Sequence, residues 1–329
     1  MRREVVMRKV RRFEIEAKRA GKDLNAVPQA EFCRLLVGDP KEWMFRFCAT
    51  RLLRGDYSDW TGWEYRSPFA VDSYRPELPN KRWRLEKIKS LAVLGEQGIG
   101  DEIMFASCVP DVQKLGVEVT LECDPRLVSI FERSFGCKVI PRDDIVNRGS
   151  SQYLTGKRPE EAFIPIADLP RLFRKSRADF QAAPFLKADP QMVEKWKHLK
   201  GRAGIAWRGR RGKFDQQELM KAAGIENPVA LQYDGWPYEM DGMEVPDCDL
   251  KDGLEDILGI CANLERVVTV PQTIVHFAGP LGVPVDVVIP PVKTGRVIDQ
   301  IQYRYGLGPR MDWYPSVNVY QSLNEYRHR

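Results

Sequence analysis

The stretch LAVLGEQGIGDEIMFAS, residues 91–107, decides the reading of this chain. An apolar run, Leu91–Leu94, fits a buried strand, Gly95, Gly98 and Gly100 form a loop, and EIMFAS continues as a helix. Strand, glycine loop, helix is the opening unit of a parallel α/β sheet. The glycines run G-x-x-G-x-G, the reverse of the dinucleotide fingerprint, and no Lys-Ser/Thr follows as in a Walker loop. Asp101 and Glu102 stand at the helix start, where their charges oppose a phosphate in the field that otherwise attracts one. The loop therefore suits a carboxylate held ionised beside a ligand, Asp101 being placed to take a proton from an attacking alcohol. Gly98, Gly100 and Glu102 are expected on the same ligand-facing side. An acid that simply starts a helix is the plainer alternative.

Working outward, VEVTLEC (117–123) and CKVI (137–140) read as further strands, with helices around EIMFASCVPDVQKLG and PRLVSIFERSFG between them. The proline-marked FIPIADLPRLFRKS leads to AAPFLKADPQMVEKWKHLKG, read as a linker and a helix. A second α/β set follows, with AGIAW, PVALQY, ERVVTV and PVDVVIP as strands and helices around LEDILGICANL and TIVHFAGPLG. Two successive parallel-sheet halves predict a cleft between the carboxyl ends of their strands.

Two loops of the second half carry chemistry. After AGIAW come Arg208, Arg210, Arg211 and Lys213, separated by Gly209 and Gly212, a candidate pyrophosphate clamp whose alternative is a solvated basic loop. After ERVVTV comes PQT, where the amides of Gln272, Thr273 and Ile274 open a helix with no acid beside them, an ordinary anion site. His276 lies on the same turn, either donating to that anion or filling the core.

Ahead of the sheets, residues 28–66 read as two short helices, with apolar positions at three- and four-residue spacing, followed by a proline-bearing connector. The expected division is a helical segment over 1–84, an α/β half over 85–190 and a second over 191–329. The net charge of +5 is concentrated in residues 1–22, with nine Lys/Arg against three Glu, so the remainder is nearly neutral. A solvated helix face is the plainer reading of that run, and without interleaved aromatics a nucleic-acid partner is the weaker one. Seven dispersed cysteines without a C-x-x-C pair fit buried thiols in a reducing compartment, and three histidines rule out a histidine-rich metal site. With no membrane-length apolar run and no signal-peptide core, a cytoplasmic protein without a membrane span is expected.

Taken together, LLRGDYSDWTGWEYR, GEQGIGDEIMFAS, LECDPRLVSIFERSF, LPRLFRKS, GIAWRG, TVPQTIVHFAGPLGVPV and DWYPSVNVY carry a resemblance over residues from about 50 to 321. The chain resembles the glycosyltransferase-like region at the end of many bacterial tetratricopeptide-repeat proteins, related to the ADP-heptose:lipopolysaccharide heptosyltransferases. The resemblance implies a GT-B-like α/β fold of two facing Rossmann-like domains, acceptor on the first and nucleotide-sugar donor on the second. A small repeat-like helical hairpin would pack on the first domain, and a C-terminal helix would cross back to it. Asp101 matches the family's base. The donor motif Asp-Thr-Gly-x-x-His falls on Pro271, Gln272, Thr273 and His276, so Pro271 stands where the family has an acid. The implied activity is metal-independent inverting transfer from a nucleotide-diphosphate sugar to a hydroxyl of a glycan, lipid-linked or protein acceptor, with no further cofactor. The one D-x-D, Asp247-Cys248-Asp249, is too short to indicate a metal. The competing readings are a non-catalytic nucleotide- or glycan-binding scaffold and a GT-B-fold sugar-nucleotide epimerase.

Overall fold

The computed structural model describes residues 40–66, 81–96, 98–142, 159–180, 183–210, 212–235, 240–291 and 304–329. The basic stretch 1–22, the first predicted helix, most of the connector and Arg211 lie outside the described residues. Helix α1, Pro40–Leu53, buries Phe45, Cys48, Ala49 and Leu52, the three- and four-residue spacing of one face. It docks on the first α/β half through the turn that follows. The indole N–H of Trp63, fully buried, donates to the Ala167 carbonyl at 2.6 Å, and that of Trp60 donates to the Arg174 carbonyl at 2.8 Å. These polar handles let two large apolar rings be buried with their donors satisfied.

The first half runs β1 (Ser90–Leu94), α2 (Ile99–Ala106), α3 (Val109–Gln113), β2 (Glu118–Cys123), α4 (Val128–Phe135), β3 (Lys138–Pro141), β4 (Ala162–Pro165) and α5 (Leu169–Phe173). Its four strands are all parallel, in the order β3-β2-β1-β4. The second half runs α6 (Pro190–Lys195), β5 (Ala203–Ala206), β6 (Arg208–Gly209), β7 (Gly212–Lys213), α7 (Gln216–Ala223), β8 (Val229–Ala230), α8 (Leu254–Asn263), β9 (Arg266–Thr269), α9 (Ile274–Ala278), β10 (Val285–Val288), β11 (Val317–Tyr320) and α10 (Leu323–Arg327). Its main sheet is parallel throughout, in the order β11-β10-β9-β5-β8, while β6 and β7 pair as a small antiparallel hairpin. Alternate residues of the central strands enter opposite cores. Ile205, Val268 and Val288 pack with α7 and α10, whereas Ala206, Val267 and Val287 join the large core shared with the first half. This is the expected α/β class: two Rossmann-like parallel-sheet halves with a small helical segment in front.

Strand order fixes where ligands can sit, because neighbouring loops diverge where the winding of the sheet reverses and leave a crevice. In the first sheet the reversal lies between β1 and β4, and in the second between β5 and β9. The glycine loop follows β1, the basic loop follows β5 and PQT follows β9. All three candidate loops therefore stand at reversal points.

Three elements differ from the sequence reading. β4 falls at the proline-marked segment, to which the sequence reading gave no strand; four residues ending in proline carry no strand period, and pairing of Leu91 with Ala162 and Val93 with Ile164 makes it one. β11 arises in the aromatic tail, where Val317 and Val319 are buried alternately beside β10. The last helix, α10, does not cross back. It caps its own half, with Tyr326 fully buried against Asp286 and Arg327 paired to Glu218 of α7 at 2.7 Å. Residues 304–316 make the crossing instead. The Leu307 amide donates to the Leu53 carbonyl, Tyr57 Oη donates to Asp312 at 2.7 Å, and Trp313 meets Phe105 and Phe180 edge-on. The crossing is made by aromatic burial rather than by a helix, and the predicted boundary at 190 is bridged by one continuous core.

Candidate functional site

The glycine loop is held from within. Gly98 is the N-cap of α2, its carbonyl accepting from the amides of Asp101 and Glu102, so the helix begins two residues before Asp101. A Cβ at Gly95 would lie 2.7 Å from the Glu122 carbonyl oxygen, so that glycine is required by the close approach of β2. A Cβ at Gly100 would lie 2.8 Å from Cδ2 of His276. The space this glycine leaves is filled by the imidazole of the other half, where the sequence had suggested a ligand. Gly98 is exposed, with nothing within 4 Å of its own missing side chain.

The two acids at the start of α2 go to different places. Glu102 is fully buried and turned toward the end of β2, where it accepts from the Asp124 amide at 2.7 Å and from the Arg142 guanidinium at 2.6 Å. Burial outweighs both contacts and pushes its carboxyl up to about 8. Glu102 is therefore a strut inside the first half, a correction to its expected ligand-facing role. Asp101 points the other way, toward the second half, where its Oδ1 accepts from Nε of Arg304 at 2.5 Å with both side chains nearly buried.

His276 lies on α9, which packs against α2. Its Nδ1 is 2.9 Å from the hydroxyl of Tyr314, and its ring stands against Gly100 and, edge-on, against Tyr314. Burial pushes the imidazole down to about 4; Asp101 opposes that shift and Arg304 adds to it. The ring is neutral near pH 7, a hydrogen-bonding group rather than a cation. The first amide bonds inside this turn run from Val275 and His276 to the carbonyls of Gln272 and Thr273, so the amides of Gln272, Thr273 and Ile274 come before the helical ladder. Gln272 is half-buried, with its side-chain Nε2 donating to Thr269 Oγ1, and Thr273 is exposed.

The basic loop is the hairpin β6–β7, with Arg208 directly opposite Lys213. Gly209 backs onto PQT so closely that a Cβ there would lie 2.6 Å from the Pro271 carbonyl oxygen, so the two loops of the second reversal point are in contact. Arg210 and Lys213 are exposed. Arg208 is half-buried; its amide donates to Gln232 Oε1 at 2.9 Å, and its guanidinium stands 4.0 Å from Asp234. The structure thus brings Asp101, Gly100 and His276 together, and sets the hairpin beside Val270 and Pro271.

Sequence reasoning missed three contributors. Arg304 and Tyr314 come from the crossing segment, and their charge and hydroxyl carry no local pattern. Arg66, from the turn after α1, joins Glu96 after β1 to Asp168 after β4, bonding Asp168 at 2.8 Å and Glu96 in a second close ion pair. All three are almost fully buried, so the reversal crevice of the first sheet is filled by the chain itself. Asp249, in the D-x-D, accepts from the amides of Lys251 and Asp252 and shapes a turn. Among the described residues no group of three or more His, Cys, Asp or Glu is arranged to hold a metal ion, and no helix is long and apolar enough to cross a membrane.

No family model matches the chain. Protein FlbA of Caulobacter vibrioides is 28% identical over 262 residues, which cover 69% of this chain and 44% of that protein; the chain spans less than half the length of this relative. Among solved structures it is similar to a glycosyl transferase family 9 protein of Veillonella parvula, with 12% identity and a TM-score of 0.48, covering 77% of this chain and 90% of that one. It is also similar to ADP-heptose lps heptosyltransferase II of E. coli, with 10% identity and a TM-score of 0.46 over 70% of this chain and 90% of the other. For the E. coli heptosyltransferase WaaC with ADP-2-deoxy-2-fluoro heptose the values are 14% and 0.42, over 73% and 98%.

Proposed function

We propose that the protein is a metal-independent inverting glycosyltransferase, which moves a sugar from a nucleotide-diphosphate donor to an acceptor hydroxyl. Asp101 takes the hydroxyl proton as the acceptor oxygen bonds to the anomeric carbon from the face opposite the diphosphate. The bond from that carbon to the phosphate oxygen breaks, and its electron pair leaves on the diphosphate. Arg208, Arg210, Arg211 and Lys213, the amides of Gln272, Thr273 and Ile274, and the neutral N–H of His276 stabilise the departing charge, the work a divalent ion does in other transferases. The observation that carries this reading is the meeting of Gly100 and Asp101, from the first reversal point, with His276, from the second. An acid and an anion-binding turn stand within one cluster, as displacement at a carbon between acceptor and diphosphate requires.

The test is turnover of a panel of nucleotide sugars, with and without added acceptors. Donor hydrolysis or transfer is expected to fall by about 10²-fold or more in Asp101→Asn, in keeping with the loss of a general base. Equal rates in wild type and variant would rule out Asp101 as the base.

A second reading, a nucleotide- or glycan-binding module without turnover, is favoured by two observations: Asp101 is already held by Arg304 at 2.5 Å, and Pro271 replaces the acid of the related motif. It predicts nucleotide binding with no consumption of any donor.

A further inference from the structure

Arg304 stands where the two halves meet. Its Nε holds Oδ1 of Asp101 at 2.5 Å, and its charge reaches His276, which shares a turn with the amides of Gln272 and Thr273. Its neighbour Tyr305 is fully enclosed beside the His276 ring, with centroids 6.2 Å apart, and the next residues are tied to α1 through the bond from Leu307 to Leu53. The guanidinium is therefore delivered to the site by a packed backbone, not by a side chain wandering at the surface.

A carboxylate oxygen that already accepts from a guanidinium has that lone pair engaged and turned away from an incoming hydroxyl. Removing the guanidinium without replacement would leave a nearly buried carboxylate unpaired, which is strongly unfavourable. A diphosphate changes that balance. It carries more charge than a carboxylate and offers several oxygens to the planar fork of an arginine.

Resting on the transferase reading above, we propose that Arg304 belongs to the donor site and that a bound nucleoside diphosphate draws its guanidinium away from Asp101. Anion binding and release of the base are then one event, so Asp101 becomes competent only when a donor is in place. The exchange is one of ion pairs alone, with no bond made or broken.

The consequence for binding is two-sided. Asp101 competes with the ligand for Arg304, so Asp101→Asn should tighten the binding of nucleoside diphosphates several-fold, whereas Arg304→Gln should weaken it about tenfold through loss of a charge-assisted contact. Arg304→Lys, which keeps the charge but not the fork, should fall between them. The experiment titrates ADP, GDP, UDP and inorganic pyrophosphate into the full chain and these three variants by calorimetry, with the unliganded melting temperature confirming that each is folded. Tightening in Asp101→Asn together with weakening in Arg304→Gln supports the exchange. Affinities within twofold of wild type in both variants, weaker binding in Asp101→Asn, or no binding of any probe by wild type would overturn it. The transferase reading fails separately. If wild type binds a diphosphate but consumes no donor, the exchange is still read from the affinities; if donors are consumed and Asp101→Asn does not tighten binding, the exchange alone is wrong.

Discussion

The two reversal points of this molecule are built from the same parts and finished in opposite ways. In the first sheet, Glu96 and Asp168 flank the crevice and Arg66 fills it, all three almost wholly buried. In the second, the β6–β7 hairpin and PQT flank the crevice, and Arg210 and Lys213 remain exposed. The first crevice is a sealed charge network that ties the helical segment to the sheet; the second presents charge to solvent. Buried pairing makes charge structural, and exposure leaves it available for a ligand.

The sharpest way to break this comparison is to open the sealed side. Arg66→Ala leaves Glu96 buried without its cation, while Asp168 keeps Arg82, and should cost about 3 kcal/mol or more, read from urea unfolding. A loss below about 1 kcal/mol would show the network to be as dispensable as a surface pair.

Next come two opposed pH responses. Glu102 is raised to about 8, so the protonated form favours the fold; its contribution is complete below the ordinary value of 4.5 and is lost as pH rises toward 8. His276 is lowered to about 4, so the neutral form favours the fold, and its contribution is complete above 6.5 and lost as pH falls toward 4. Each slope should be on the order of 1.4 kcal/mol per pH unit between the two values, and should flatten in Glu102→Gln and His276→Gln respectively when melting temperature is followed across pH. Unchanged slopes in both variants would place the titrations elsewhere.

The smallest effect belongs to the exposed side. Lys213→Gln should leave stability within about 0.5 kcal/mol of wild type while weakening nucleoside diphosphate binding only a few-fold, an effect that fades with added salt.

Sequence reading found most of the buried strands of both sheets because strands covered on two faces carry short apolar runs, as Leu91 to Leu94 and Val267 to Val270 do around the single Thr269. β4 and β11 escaped it, the one set among prolines and the other in an aromatic tail, until a neighbour pairs with them. For the candidate site, the placement of Asp101, His276, Arg208, Arg210 and Lys213 beyond the ends of strands was legible, since each lies in or just after a loop that the strand pattern marks. The role of Glu102 was not, because its neighbour Asp101 has the same local chemistry and only the direction of each side chain around the helix separates them.

By itself, then, the sequence determined the elements and the loops in which chemistry could lie, properties set by side chains a few residues apart. The tertiary structure alone decided that Gly100 makes room for His276, that Arg66 closes one crevice and that Arg304, 203 positions along the chain, grips Asp101. Such contacts depend on strand order and on which face of each helix is buried, and no local pattern of residues encodes either.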